Sequence, residues 1–372
     1  MRYYIIAGEA SGDLHASNLA LQLRKYDTGA IMRGWGGDKM QQAGVEIVKH
    51  YRELAFMGFV EVIKNLRTIL RNLEICKEDI LAFNPDVVIL VDYPGFNLRI
   101  AEFLKKKNIK VFYYISPQIW AWKQSRVHKI KRDVDKMFVI LPFEKDFYKK
   151  FDYDVVFTGH PLLDEIEKIK HQPAKALSQS DIDKKIIALL PGSRMQEIKE
   201  MLPVMLKAVS VFKNFNPVIA AAPNIPDSFY QSLAGKDIPI VHGRTYDILQ
   251  QAYAALVTSG TATLETALFK VPEIVCYKGN RFSYLIARQL VKVKYISLVN
   301  LILDRMLVKE LIQDDLNEKT LTSEMKLLLE DEEYRGNILA GYDELEAKLG
   351  MAGASEKTAR KMVDLLKGTV DQ

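Results

Sequence analysis

The stretch Ile186–Leu202, IIALLPGSRMQEIKEML, restricts this chain more than any other. Its apolar run is as short as a strand and is followed by Gly192, Ser193 and Arg194. Met195, Ile198, Met201 and Leu202 then recur at helical spacing. A strand apolar on both faces belongs in a parallel sheet with helices covering it. The turn sets backbone N–H groups at a helix start beside a glycine, an N-capping serine and a guanidinium. That arrangement suits a phosphate or pyrophosphate, and it is also what an ordinary capped turn with a surface arginine looks like.

The same strand–turn–helix unit recurs along the chain, and 372 residues exceed one core of usual size, so two domains are expected. In the first half, a strand over Arg2–Ala7 leads through residues 8–12 into a helix over Asp13–Tyr26, with Asp13 or Ser11 as its cap. Short strands follow near Met32–Trp35 and Val45–Val48. A buried strand over Asp86–Val91 precedes a helix over Leu98–Lys107. Strands at Lys110–Ile115, Lys136–Leu141 and Val155–Thr158 alternate with helices at Gln124–Arg132 and Glu144–Lys150. Polar residues from Ile169 to Lys184 read as a linker. Strands at Ile186–Leu190, Val218–Ala222, Pro239–Val241, Ala255–Thr258 and Ile274–Tyr277 repeat the pattern, and from Asn317 the chain reads as helical. The expected fold is therefore α/β: two doubly wound, Rossmann-like domains facing across a cleft. The expected boundaries are residues 1–168 and 185–345, with 346–372 as a terminal helix docking back towards the first domain.

Composition narrows the function. Hydrophobic content of 48% and charged content of 27% are those of a globular protein, and no apolar run reaches membrane-spanning length. No signal peptide is recognised, so a cytoplasmic location is expected. Cys76 and Cys276 both lie in apolar settings and read as core thiols. The histidines show no ligand spacing, and no metal is expected. Residues Arg99–Lys150 hold 14 Lys and Arg against 5 Asp and Glu, a basic excess that suits a phosphorylated substrate, an anionic membrane or nucleic acid. Residues 55–73, AFMGFVEVIKNLRTILRNL, combine an apolar stripe with Lys64, Arg67 and Arg71. They read as a core helix or as one lying on a membrane, with Phe56, Met57 and Phe59 adding apolar surface.

Three turns carry possible chemistry. Asp92 follows a buried strand, where a doubly wound sheet presents functional groups, and it is also suited to capping a turn. Trp120 and Trp122 follow the next strand, either as a packed corner or as a face for sugar or lipid. Thr258–Glu265, TSGTATLE, is a second small-residue turn into a helix. Its N–H groups suit a diphosphate, and Glu265 suits a ribose hydroxyl pair. The first turn lacks the G-x-G-x-x-G fingerprint, and Glu9 and Asp13 would repel a pyrophosphate, so NAD binding is not expected.

Nine motifs fall in one order: AGEASGD (7–13), MGFVEV (57–62), DYPGFN (92–97), SPQIWAWK (116–123), LPFE (141–144), TGHPLLD (158–164), LLPGSR (189–194), SGTATLE (259–265) and SLVNLIL (297–303). In this the chain resembles the lipid-A-disaccharide synthase family of GT-B-fold inverting glycosyltransferases. The resemblance implies transfer from UDP-2,3-diacylglucosamine to 2,3-diacylglucosamine 1-phosphate, giving the β-1,6-linked disaccharide 1-phosphate and UDP, in lipid A biosynthesis. It implies Asp92 and Glu9 as catalytic residues. It assigns the donor to Gly192, Ser193, Arg194, Glu197, Ser259, Gly260, Thr261, Ala262, Glu265 and Asn300. Acceptor and lipid contacts fall to Ser11, Met57, Phe59 and Val60. No cofactor, metal or nucleic acid is implied, and the enzyme is expected on the anionic cytoplasmic face of the inner membrane. Some members carry a second Asp where this chain has Gly95, which leaves Asp92 as the carboxylate of that motif. His15 is the other candidate base beside Glu9. A UDP-sugar 2-epimerase shares the fold and is the rival enzyme class; a non-catalytic lipid- or nucleic-acid-binding protein would explain only the basic first half.

Overall fold

The computed structural model describes residues 1–53, 66–175, 177, 184–279 and 293–368. Two compact units are present: residues 1–164 together with 350–372, and residues 165–349. The residues Met57, Phe59 and Val60, with the rest of 54–65, lie outside the described residues.

The first unit holds seven parallel strands: β1 (Arg2–Ala7), β2 (Ile31–Gly36), β3 (Glu46–His50), β4 (Val87–Val91), β5 (Val111–Tyr114), β6 (Lys136–Val139) and β7 (Val156–Phe157), in the order β3-β2-β1-β4-β5-β6-β7. Strand order reverses between β1 and β4, whose last residues Ala7 and Val91 pair. At such a reversal the turns leaving the two strands diverge to opposite faces and open a crevice. On one face, Ala16, Leu19 and Leu23 of helix Ala10–Tyr26 share a core with Ala359, Met362 and Val363 of the terminal helix Ala354–Lys367. Asp164 caps that helix by accepting from the N–H groups of Gly353, Ala354 and Ser355 at 2.6, 3.1 and 2.9 Å.

The second unit holds six parallel strands: β8 (Lys185–Leu190), β9 (Phe215–Ala221), β10 (Ile240–His242), β11 (Ala252–Thr258), β12 (Glu273–Tyr277) and β13 (Lys309–Ile312), ordered β10-β9-β8-β11-β12-β13. Its reversal lies between β8 and β11, where Leu190 pairs with Val257. Strand β13 was not legible in the sequence. Its KELI segment has no alternation, and pairing along β12 makes it a strand.

Several local expectations are corrected. Helix Ala10–Tyr26 starts three residues early with Glu9 at its N-cap, and the buried Asp13 instead caps helix Asp38–Gln42, accepting from Gly37, Lys39 and Met40 N–H groups. Helix Pro94–Lys106 begins four residues before the expected start, because proline is well placed in a first helical turn. Beyond residues 54–65, helix Leu66–Phe83 runs ten residues past Leu73. Among the described residues, no helix is long and apolar enough to cross a membrane. Both cysteines are buried.

Candidate active site

In the second unit the turns after β8 and β11 line one cavity of about 490 Å³, within the range of small-molecule sites. Gly192, Ser193, Arg194 and Glu197 come from the first turn; Ser259, Gly260, Thr261, Ala262 and Glu265 come from the second. Gly192 has φ +116°, and a Cβ there would stand 2.7 Å from the Glu197 carboxylate, so the close turn demands glycine. Ser193 does not cap the helix. Arg194 is the N-cap residue, and Glu197 reaches back to accept from the Ser193 N–H at 3.2 Å while pairing with Arg194 at 3.3 Å. The bond reaches one residue before the N-cap, so it ties the turn to the helix without forming a capping box.

Gly260, at φ +150°, is the N-cap of helix Thr261–Leu268. The first N–H groups of that helix have no carbonyl within the helix to bond. With the Arg194 guanidinium they form a positive rim suited to a diphosphate. Glu265 lies deeper, one oxygen accepting from the Tyr246 hydroxyl at 2.9 Å. Burial raises its pKa and the Tyr246 bond opposes the rise.

Asn300 is not among the residues that line this cavity. It is fully buried; its Nδ2 donates to the Val308 carbonyl and the Glu310 carboxylate, and its Oδ1 accepts from the Leu307 and Val308 N–H groups. Every polar atom of the side chain is already engaged, so it clamps the approach to β13. At this point the SLVNLIL motif carries a side chain that ties its helix to the segment 307–310.

In the first unit, Glu9 follows β1 and Asp92 follows β4, on the two strands where the order reverses. Asp92 and Tyr93 both have φ +47°, a left-handed pair that non-glycine residues seldom adopt. The pair is held in place: Asn97 donates to the carbonyls of Val91 and Asp92 at 3.2 and 2.8 Å, and the Tyr113 hydroxyl donates to the Asp92 carbonyl. Gly8 is required because a Cβ would fall 2.3 Å from the Tyr93 ring. Burial, then the charge of Glu9, raises the Asp92 carboxyl to about 6, although the Tyr93 N–H works against the rise. A carboxylate poised there is suited to proton abstraction near neutral pH. Ser11 is exposed in the first turn of helix Ala10–Tyr26. His15 lies half-buried in the same helix, and its charge adds to the burial that lowers His160 to about 3.

Of the two tryptophans after β5, one is the packed corner. Trp120 is buried edge-on to Phe143 at 4.9 Å, while Trp122 is exposed. Glu144, whose role sequence reasoning missed, is buried beneath this corner and accepts from the Ile140 and Leu141 N–H groups. Burial raises it to about 7. Its only sequence signal is its place in the LPFE motif, because a surface glutamate and a buried one look alike in a helix start.

The sequence profile of the lipid-A-disaccharide synthetase family matches residues 3–361. The chain belongs to that family. It is 40% identical over 373 residues to the lipid-A-disaccharide synthase of Syntrophus aciditrophicus, covering 98% of this chain and 97% of the relative. It is 36% identical to that of Geobacter sulfurreducens, with the same coverage. Among solved structures, a UDP-GlcNAc 2-epimerase from Neisseria meningitidis bound to UDP-GlcNAc superposes with a TM-score of 0.68 at 14% identity, covering 98% of this chain and 100% of that one. A calicheamicin glycosyltransferase does so at 0.60 and 15% identity, covering 100% and 98%. At such identities these likenesses establish the GT-B-like fold. Family membership makes the protein a glycosyltransferase that forms the lipid A disaccharide from a UDP-sugar and a lipid-linked acceptor.

Proposed function

We propose that the second unit holds UDP-2,3-diacylglucosamine in the cavity rimmed by Arg194 and the turn at Ser259–Ala262, and that the first unit holds diacylglucosamine 1-phosphate beside Asp92. Asp92 takes the proton from the acceptor 6-hydroxyl as the O6–C1 bond forms. The bond from C1 to the diphosphate breaks with inversion, and UDP leaves with the electron pair. Arg194 and the helix N–H groups stabilise the charge that collects on the departing diphosphate. Glu265 accepts from ribose hydroxyls, and Glu9 keeps Asp92 basic. The observation that carries this reading is the Asp92 carboxyl: half-buried, rigidly presented at the strand reversal and raised to about 6.

The enzyme works in this reading on the cytoplasmic, anionic face of the inner membrane. Support comes from helix Leu66–Phe83, where Leu70 is 49% exposed between exposed Arg67 and Arg71. An apolar side chain flanked by cations suits an anionic lipid surface.

The test is UDP release from UDP-diacylglucosamine with and without diacylglucosamine 1-phosphate. Release that depends on the acceptor and yields a β-1,6 disaccharide supports transfer. Donor epimerisation without acceptor would instead place the chemistry with the epimerases that share the fold.

A further inference from the structure

Among the described residues, Lys105, Lys106, Arg132 and Lys136 are the cations of Arg99–Lys150 held in ion pairs. Lys105 pairs with Asp135, Arg132 with Asp133 and Lys136 with Asp154, at 3.1, 2.7 and 3.1 Å. Lys123 and Arg126 are set apart by their place and by the ring they share. They lie on the segment leaving β5, the strand hydrogen-bonded beside β4, so their loop starts next to the one that carries Asp92. The Lys123 Nζ stands 4.3 Å and the Arg126 Cζ 5.5 Å from the centre of the Trp122 ring. Neither side chain forms a hydrogen bond or ion pair among the described residues.

Two cations within 6 Å of the centre of one 46%-exposed indole make this corner locally positive, and the ring quadrupole only partly offsets this. An anion of two charges bound at the corner would offset that potential. The corner that holds them is built to stay in place: Trp120 is buried against Phe143, Gln124 donates to the Trp120 carbonyl, and Ser116 bonds the Tyr148 hydroxyl. The electrostatics tie this corner to the base. Burial pushes the Tyr113 phenol well up and the Asp92 charge adds to it, while Arg126 opposes both; the same hydroxyl donates to the Asp92 carbonyl.

We infer that Lys123 and Arg126, presented over Trp122, form the subsite for the phosphate monoester of the acceptor sugar. This rests on the reading that the first unit binds the acceptor beside Asp92. The indole offers an apolar face to the sugar ring, and the two cations hold the phosphate. The site thereby selects a phosphorylated sugar over its hydroxyl counterpart and orients the 6-hydroxyl towards the base. The guanidinium suits a bidentate contact, and the ammonium acts as a point charge.

The test uses the full-length enzyme, UDP-diacylglucosamine and two detergent-dispersed acceptors, diacylglucosamine 1-phosphate and diacylglucosamine. For Lys123→Gln/Arg126→Gln, KM for the phosphorylated acceptor should rise by roughly a hundredfold, about tenfold for each charged contact, with donor KM and thermal midpoint unchanged. Turnover of the unphosphorylated acceptor should match the parent, erasing the preference. Arg126→Lys should recover part of it. An unchanged preference in the folded double variant overturns the inference. So does a variant that keeps the preference but no longer sediments with vesicles containing phosphatidylglycerol, since the phosphate recognised would then be a lipid headgroup. A parent enzyme that releases UDP with neither acceptor overturns the functional reading itself, before any variant is compared.

Discussion

Glu9 and Asp92 leave adjacent strands at the order reversal of the first sheet, and burial first and the Glu9 charge second make Asp92 hold its proton up to about pH 6. A base must be ionised to act, so kcat/KM is expected to fall as pH drops through about 6. Removing the Glu9 charge favours ionised Asp92, so Glu9→Gln should move this acid limb to lower pH. Asp92→Asn should lower kcat by roughly 10²- to 10⁴-fold while donor affinity is kept. An acid limb that stays put in Glu9→Gln would show that the limb belongs to another group; near-parental turnover in Asp92→Asn, with collapse in His15→Asn, would move the base to His15.

Arg194 is largely exposed and among the described residues pairs with Glu197 alone, at 3.3 Å, so Arg194→Ala should leave stability nearly unchanged. Its loss from the diphosphate should cost about 2 kcal/mol, roughly thirtyfold in kcat/KM. Steady-state kinetics at saturating acceptor measure this, and parental kinetics in the variant would remove Arg194 from the site.

Asn300→Ala leaves two N–H groups, a carbonyl and a carboxylate without their partner in the interior. The expected loss is about 3 kcal/mol of stability, read from denaturant unfolding, with UDP affinity of the folded fraction unchanged. A variant of parental stability that has lost UDP binding would return Asn300 to the donor site.

Glu144 is buried with a folded-state pKa of about 7, above the ordinary glutamate value. Folding therefore takes up a proton across the window between the two values. Stability from this group is fully present below the ordinary carboxylate range and declines as pH rises towards about 7. Glu144→Gln should flatten that decline in thermal midpoints measured from pH 5 to 8. An equally steep decline in the variant would assign it elsewhere.

Leu70→Asp places a carboxylate on an exposed helix position between Arg67 and Arg71, where folding should tolerate it. Sedimentation with anionic vesicles should weaken. Undiminished sedimentation would exclude this helix as the contact surface.

The alternation of short apolar runs, small-residue turns and helical periodicity was enough to place both sheets apart from β13, because strands buried on both faces and helices with one apolar stripe leave local signatures. The two small-residue turns that line the cavity of the second unit were equally legible. A glycine at a left-handed φ and a helix N-terminus are local properties, and Gly192 and Gly260 carry them without distant help. Tertiary structure decided which polar residues are structural. Asp13 reads as the cap of its own helix yet bonds N–H groups 24 to 27 residues away, and Asp164 caps a helix 189 to 191 residues on. Asn300 stands in a motif, but its partners arrive only when β13 pairs with β12. The poise of Asp92 likewise depends on burial and on Glu9, brought beside it by the pairing of β1 with β4. A carboxylate's chemistry is set by solvent exclusion and neighbouring charge. Both are properties of the assembled sheet, whereas the turn that presents the carboxylate is a property of the chain.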